Sequence, residues 1–223
     1  MTGRGLFITL EGLEGTGKST HGAAVAEFLR RAGRQVLLTR EPGGTVIGER
    51  IRAVLLDETH GEMSAETEML LFAASRAQFV REVVRPALER GVTVLSDRYV
   101  DASLAYQGYG RGIDVAVVRR VNEVATGGLL PDLTILLDID PAAGLDRARA
   151  GKGDAHGRGD RLEQEAPAFY RRVREGFLHL AAESPQRFAV VEASGAIEEV
   201  RRRIVAAVEQ FLTQRRSGSG SAG

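Results

Sequence analysis

The chain alternates short runs of apolar residues with longer segments in which apolar residues recur every three or four positions. Five runs rich in β-branched residues predict strands buried on both faces; they cover residues 6–10, 35–39, 92–95, 133–137 and 188–191. Helical spacing occurs between them at residues 19–32, 47–56, 65–90, 115–125 and 197–212. This alternation predicts an α/β fold in which helices cover both faces of a parallel sheet.

Three features interrupt this regular pattern. Pro86 lies inside the third helical segment and predicts a kink or break there. Residues 150–161 are too rich in glycine for a helix and too charged for a core, so they predict a mobile loop between helices at 141–150 and 162–182. The Ser/Gly-rich end predicts a disordered tail at residues 213–223, which leaves one domain at residues 1–212.

Composition narrows the class of protein. The chain has 223 residues, of which 43% are apolar and 27% charged, as expected for one globular domain. Lysine plus arginine and aspartate plus glutamate both number 30, so net charge predicts neither a nucleic-acid groove nor a membrane surface. The lack of cysteine excludes disulfides, thiolate zinc sites and cysteine nucleophiles. With no secretion signal or membrane span in the sequence, we expect a cytoplasmic protein.

A phosphate-binding loop is predicted at residues 12–19. Their sequence, Gly-Leu-Glu-Gly-Thr-Gly-Lys-Ser, matches G-x-x-x-x-G-K-[ST] and joins a predicted strand to a predicted helix. Such a loop cradles phosphates with backbone N–H groups, while Lys18 reaches the β- and γ-phosphates and Ser19 ligates Mg²⁺. The predicted ATP contacts are Gly12, Leu13, Glu14, Gly15, Thr16, Gly17, Lys18, Ser19 and Thr20.

The loop does not by itself define a reaction, because motors, GTPases, transport ATPases and small-molecule kinases share it. The chain has no Asn-Lys-x-Asp segment of the kind with which GTPases read guanine, and it is short for a transport ATPase. A small kinase is therefore the favoured class.

Arginines after two predicted strands indicate a second phosphate site. Asp97 and Arg98 follow the third strand, and Arg40 opens the sequence Arg-Glu-Pro-Gly-Gly after the second. Ligands of parallel sheets bind beyond the carboxyl ends of strands, where Asp97 could hold a metal and two arginines could clamp one anion. A solvated ion pair and an ordinary turn are the alternatives. A phosphate acceptor is mostly a dianion at neutral pH, so it needs no general base.

Five segments together resemble the thymidylate kinase family, and the resemblance runs from about residue 6 to 212. They are residues 7–19, Thr-Arg-Glu-Pro-Gly-Gly at 39–44, Asp-Arg-Tyr at 97–99, Ala-Tyr-Gln-Gly at 105–108 and Pro-Asp-Leu-Thr at 131–134. The resemblance implies a P-loop nucleoside monophosphate kinase fold with five parallel strands in the order 2-3-1-4-5. It also implies in-line phosphoryl transfer from ATP to dTMP with Mg²⁺, in dTTP synthesis, by a homodimer built through the helices that follow the second strand.

The resemblance also assigns roles to residues. Phe72 would stack on thymine, although a phenylalanine in a helix more often lies in the core. Arg76, four residues later on the same helix face, would donate a hydrogen bond to a base carbonyl. The further assignments are Ser103 and Gln107 to the base pocket, Glu14 to the 3′-hydroxyl, Tyr106 to the 2′ position, and Arg40 and Arg98 to the monophosphate.

The loop at residues 150–161 would act as a lid. Some family members place an arginine directly after the acidic residue of the phosphate loop; here that position is Gly15, which resembles the bacterial type that supplies the arginine from the lid. Arg161, in the sequence Asp-Arg-Leu-Glu, aligns best with that role, and Arg158 is the alternative. The lid is longer than in the usual bacterial pattern, so the choice between the two arginines stays open. The predicted catalytic residues are Lys18, Arg40, Arg98, Arg161 and Arg158.

Two other functions stay open. A deoxynucleoside kinase, or a kinase for another monophosphate, would share the fold; a neutral hydroxyl acceptor would need a carboxylate base, for which Glu11 or Glu41 is available. A non-catalytic module that binds ATP to switch a partner would need no acceptor site.

Overall fold

A parallel sheet of five strands forms the centre of the computed structural model, which describes residues 4–152 and 161–219. The strands are β1 (Phe7–Gly12), β2 (Val36–Arg40), β3 (Thr93–Asp97), β4 (Leu133–Asp138) and β5 (Phe188–Glu192). Their order is β2-β3-β1-β4-β5. The α/β prediction from the hydrophobic pattern and the strand order implied by the resemblance are both confirmed.

Helices connect successive strands. They are α1 (Lys18–Arg31), α2 (Val46–Leu56), α3 (Ala65–Phe79), α4 (Arg85–Glu89), α5 (Val100–Ser103), α6 (Val115–Thr126), α7 (Pro141–Lys152), α8 (Pro167–Glu183) and α9 (Ile197–Ser219). Within the described part of the chain, none of them is both long and apolar enough to cross a membrane.

The central strand β1 is buried along its whole length and organises the two sides of the core. On one side, Ile8 and Leu10 pack with residues of α1 and α9; on the other, Phe7 packs with Phe79 and Val84. Successive side chains of a strand point to opposite faces, so a continuous apolar run marks a strand covered on both.

The sheet register brings three strand ends to one edge. Leu10 of β1 and Arg40 of β2 both pair with Asp97, the last residue of β3. The phosphate loop, Arg40 and Arg98 therefore begin from the same edge of the sheet. This is the carboxyl edge, where open α/β sheets bind ligands.

The predicted helix at 65–90 contains a wider turn rather than a break. A π-helical segment, Val80–Val84, separates α3 from α4, and Pro86 stands at the start of α4. Proline lacks an N–H and its ring crowds the carbonyl four residues earlier, in this case that of Glu82. The π turn accommodates both effects while the chain stays helical.

The carboxyl-terminal third differs most from its predicted boundaries. The helix expected at 162–182 consists of a 3₁₀ turn, Leu162–Gln164, and α8, which begins with Pro167. Residues 213–219, part of the predicted tail, continue α9 as far as Ser219, and Arg215 Nη1 donates to Asp132 Oδ1 at 2.9 Å. Residues 220–223 and residues 153–160 of the predicted lid lie outside the described residues.

Candidate active site

Glycines shape the turn between β1 and α1. Gly12, Gly15 and Gly17 all have positive φ, and Gly17 caps α1 in the left-handed conformation. Residues with a Cβ rarely adopt this conformation, so the loop can curl only because glycine occupies these positions. The amino end of α1 then opens onto the loop, where unpaired N–H groups and the helix dipole favour an anion.

Lys18 lies across the mouth of this loop. Its Nζ donates to Leu13 O at 2.8 Å and to Gly12 O at 3.2 Å, and the side chain is largely buried. Burial, with a smaller contribution from the positive charge of Arg98, lowers the pKa of Lys18 to about 8. The ammonium is therefore held by neutral carbonyl oxygens, which a phosphate can replace.

A hydroxyl and a carboxylate meet at the foot of α1. Ser19 Oγ donates to Asp97 Oδ2 at 2.9 Å, which joins the phosphate loop to the end of β3. Mg²⁺ binds hard oxygen ligands and usually takes only one or two from the protein, together with substrate phosphates and water. This pair of oxygens fits such an ion, and the assignment of Ser19 and Asp97 to a metal stays a prediction.

Arg98 has a strained backbone. Among residues 4–152 and 161–219 it is the only non-glycine residue with positive φ, at 71°. Two hydrogen bonds of 2.9 Å hold it in place: its N donates to Leu10 O, and Ser96 Oγ donates to its carbonyl oxygen. Strain of this kind persists where the surroundings fix it and is typical of functional sites.

The Arg98 side chain joins Glu14 and Tyr106 in one cluster. Arg98 donates to Glu14 Oε1 at 2.7 Å and to Gly12 O at 3.1 Å, and its guanidinium lies 4.9 Å from the centre of the Tyr106 ring. The Tyr106 hydroxyl donates to both oxygens of Glu14, at 2.8 and 2.9 Å. Burial raises the pKa of Tyr106, so this hydroxyl stays protonated. Residues predicted for the sugar and for the phosphate thus contact one another.

Arg40 stands at the same edge but is turned outward. Its Nη2 contacts both oxygens of Glu49, at 3.0 and 3.1 Å, and the side chain is 55% exposed. Glu49 also accepts from Gly44 N at 2.9 Å. Arg40 would have to leave Glu49 to bind a phosphate beside Arg98, and an exposed ion pair of this kind costs little to break.

A cavity of about 280 Å³ extends from the loop between β2, α3 and the segment after β3. It is lined by Glu14, Lys18, Ser19, Arg40, Glu41, Pro42, Arg52, Leu56, Phe72, Asp97, Arg98, Ala102, Ser103, Tyr106, Gln107 and Leu162. Most of the residues predicted for the acceptor, the transferred phosphate and the metal therefore face one space. Sequence reasoning missed Arg52, Leu56 and Leu162, because they carry no motif and reach the cavity only through folding.

Phe72 and Arg76 occupy different layers of the cavity wall. Phe72 lines the cavity, whereas Arg76 is 1% exposed and lies behind the lining residues. Arg76 donates to Ser103 Oγ at 2.8 Å, to Tyr99 O at 3.1 Å and to Asn122 Oδ1. The structure does not bring its guanidinium to the cavity surface, so direct bonding to a base carbonyl stays a prediction.

Glu41, considered from the sequence only as a possible base for a hydroxyl acceptor, is a buried residue of the cavity wall. It is 3% exposed, pairs with Arg76, and is fixed by a hydrogen bond of 2.9 Å from its own N to Asp97 O. Burial raises the pKa of Glu41 to about 7, although the charge of Arg76 opposes the rise. Its position after β2 is the one sequence signal that could have identified it.

Arg161 is tied to the far end of the cavity. Its N and Nε donate to Leu56 O and Leu55 O at 3.3 and 3.0 Å, and its Nη2 lies 2.6 Å from Glu68 Oε2. It is not among the residues that line the cavity. Its catalytic role stays a prediction and would require it to leave Glu68; Arg158 lies outside the described residues.

Gly15 is in close contact with helix α7. A Cβ at Gly15 would lie 1.9 Å from Gly144 O, and one at Gly144 would lie 2.8 Å from Glu14 O. A side chain at position 15 would therefore displace α7, which gives a steric reason for the glycine that the sequence did not show.

Comparisons with known proteins agree with this geometry. A family model described as thymidylate kinase matches residues 10–204. A thymidylate kinase of Deinococcus radiodurans is 55% identical over 207 residues, which are 93% of this chain and 98% of that protein. One from Desulfosudis oleivorans is 48% identical over 92% of this chain and 97% of its own length.

A solved structure extends the likeness to three dimensions. The crystal structure of thymidylate kinase from Ehrlichia chaffeensis superimposes with a TM-score of 0.73 at 31% identity, covering 92% of this chain and 99% of that one. The family model covers most of the chain, and the relatives match it almost from end to end. The chain therefore belongs to the thymidylate kinase family.

Proposed function

We propose that this protein transfers a phosphoryl group from ATP to dTMP, giving ADP and dTDP, as the names of its relatives suggest. The observation that carries the proposal is the cluster of Arg98, Glu14 and Tyr106, which joins the phosphate loop to a cavity lined by Phe72. The proposed setting is dTTP synthesis in the cytoplasm.

Arg98 is the residue at which acceptor and donor meet. In the cavity, an acceptor phosphate competes with Glu14 for the same guanidinium, and it carries the larger negative charge. Once displaced, Glu14 and the Tyr106 hydroxyl bonded to it are available to the sugar. In this exchange Arg98 would bind the phosphate, Glu14 would hold the 3′-hydroxyl and Tyr106 would face the 2′ position, as the resemblance implies.

Lys18 supplies positive charge on the donor side. Its ammonium exchanges two loop carbonyls for phosphate oxygens, and their charge opposes the burial that lowers the pKa of Lys18. Ser19 and Asp97 would hold Mg²⁺, which neutralises phosphate charge when bound. The acceptor phosphate is already a nucleophile, so the in-line transfer requires no protein base.

The protein is further proposed to be a homodimer through α2 and α3, the helices that follow β2, together with the neighbouring α6. These helices pack side by side and expose large apolar side chains, namely Val54, Leu70, Val117 and Val124. Exposed apolar groups on neighbouring elements are typical of interaction sites. The change Leu70→Glu should shift the mass in analytical ultracentrifugation from dimer to monomer; a monomeric wild-type protein would contradict this part of the proposal.

A panel of acceptors tests the reaction and its substrate together. ADP release is measured with ATP and dTMP, dUMP, dCMP, GMP or thymidine, and dTMP should give the highest kcat/KM. Phosphorylation of thymidine but not dTMP would favour a deoxynucleoside kinase. Tight ATP binding without turnover on any acceptor would favour a non-catalytic switch.

A further inference from the structure

A buried carboxylate near the start of α3 joins a residue that lines the acceptor cavity to two arginines behind it. Glu68 is fully buried, and its oxygens accept from Gln107 Nε2 at 2.9 Å and from Arg111 Nε and Nη2 at 3.1 and 2.8 Å. Arg161 Nη2 adds an ion pair, 2.6 Å from Glu68 Oε2. Burial raises the pKa of Glu68, but these donors and charges outweigh it and lower the pKa below its ordinary value. Glu68 is therefore ionised at neutral pH.

The charge on Glu68 fixes the orientation of the Gln107 amide. An ionised carboxylate only accepts hydrogen bonds, so Gln107 must turn its NH₂ group toward Glu68. Gln107 lines the acceptor cavity, and in residues 4–152 and 161–219 no donor contacts its Oε1 atom. The amide oxygen is thus left as an acceptor for a ligand in the cavity.

Ser103 is left as a hydrogen-bond donor for a similar reason. Arg76 is a donor only, and its Nη1 donates to Ser103 Oγ at 2.8 Å. The hydroxyl proton of Ser103 then points elsewhere, and no acceptor for it is found within the described ranges. Ser103 lines the same cavity as Gln107. One wall therefore offers a ligand both an acceptor and a donor.

We propose that Glu68 is a specificity-determining positioning residue, which holds Gln107 as an acceptor beside the donor Ser103 so that the site selects an imide edge. Thymine and uracil present such an edge, a ring N–H beside C=O. Cytosine presents a ring nitrogen lone pair beside NH₂, which would meet the Gln107 oxygen and the Ser103 proton with the wrong polarity. This inference rests on the proposed monophosphate kinase activity.

The mismatch is costly because the groups are buried. A buried acceptor that faces a lone pair loses its hydrogen bond and is not compensated by water. Sites built to bond a particular N–H or O–H discriminate strongly against analogues that lack it. Gln107 and Ser103 are 1% and 2% exposed, so neither can turn to water instead.

The change Glu68→Gln tests this role. A glutamine at position 68 can offer its own NH₂ to Gln107, which lets the Gln107 amide turn over and present N–H to the cavity. The kcat/KM values for dTMP and dCMP are measured with ATP in excess. We expect the dTMP/dCMP ratio to fall about tenfold or more, the equivalent of one lost hydrogen bond.

Glu165→Gln is the matched control. Glu165 also pairs with Arg111, at 2.5 Å, so both variants remove one negative charge and one partner of that arginine. Glu165 makes no hydrogen bond with Gln107 in the described structure. Its ratio should equal that of the wild type, while thermal unfolding shows whether each variant is folded.

A merely structural role for Glu68 would lower kcat/KM for both acceptors equally, and an unchanged ratio in Glu68→Gln overturns the inference. If that variant does not fold, Gln107→Met removes the acceptor directly, and it too must lower the ratio. A wild-type protein without activity on dTMP would instead overturn the proposed function, and this inference with it.

Discussion

The phosphate loop and the acceptor cavity are built in opposite ways. The loop uses consecutive residues, 12–19, and its shape depends on glycine backbone and on the start of α1. The cavity wall collects side chains from β2, α3 and the segments after β3, and many of them are bonded to one another. Arg76 alone contacts four other residues.

This difference determines which substitutions the phosphate loop and the acceptor cavity each tolerate. A site formed by backbone tolerates most side chains but is disrupted where a Cβ cannot fit. A network of buried polar groups fails when any member leaves its partners unpaired. We therefore expect charge removal to have the largest effects, and steric changes in the loop to act through stability.

Lys18→Met should have the largest effect, because it removes the donor-side charge without creating a cavity. We expect kcat to fall on the order of 10³-fold, as when a group that stabilises the transferring charge is lost. Steady-state ADP release measures it. If Lys18→Met lowered kcat by a smaller factor than Arg98→Ala does, the residues of the acceptor cavity would contribute more to charge stabilisation than the phosphate loop.

Arg98→Ala should come next and separate the two halves. We expect kcat/KM for dTMP to fall on the order of 10²-fold, with the Kd for ATP nearly unchanged by calorimetry. Arg40→Ala is the matched control and should cost only about tenfold, because Arg40 is paired on the surface. If Arg40→Ala lowered kcat/KM for dTMP more than Arg98→Ala does, the assignment of Arg98 as the main acceptor ligand would be contradicted.

Glu41→Gln should change how stability depends on pH. Burial raises the pKa of Glu41 to about 7, so the folded protein keeps a proton that the unfolded chain releases above its ordinary pKa. The contribution of Glu41 to stability is therefore highest at acid pH and falls as pH rises toward 7. Between pH 5 and 8 the unfolding free energy of the wild type should drop by roughly 2 to 3 kcal/mol relative to the variant.

Urea unfolding of both proteins at the two pH values measures this difference. A difference that stays constant with pH would show that Glu41 is ionised in the folded state throughout, and that Arg76 outweighs burial.

Gly15→Ala should have the smallest effect on the chemical step, because it removes no charge. The new Cβ would require an alanine in the left-handed conformation and a shift of α7, because it would lie 1.9 Å from Gly144 O. The left-handed conformation alone costs about 1 to 2 kcal/mol of unfolding free energy, the shift of α7 adds to that loss, and ATP binding should weaken. Gly61→Ala, where a Cβ meets no atom within 4 Å, is the control and should change neither. Equal effects would show that α7 does not restrain the loop.

The sequence by itself determined the local features of this protein. Apolar periodicity placed all five strands within one or two residues of each end, and an eight-residue motif identified the loop with Lys18 and Ser19. Both signals lie in neighbouring residues, whose spacing follows from strand and helix geometry. Asp97 and Arg98 were found for the same reason, since they directly follow a strand.

The tertiary structure decided what each side chain contacts. Arg76 lies behind the wall because Glu41, Ser103 and Asn122 come from three other parts of the chain. Arg161 is held by Glu68, 93 positions earlier, rather than directed at the phosphates. Long-range pairings of buried charges depend on how elements pack and leave no periodic trace in the sequence. The chain thus encodes its loop in adjacent residues, whereas the contacts within its acceptor cavity form only when distant segments meet.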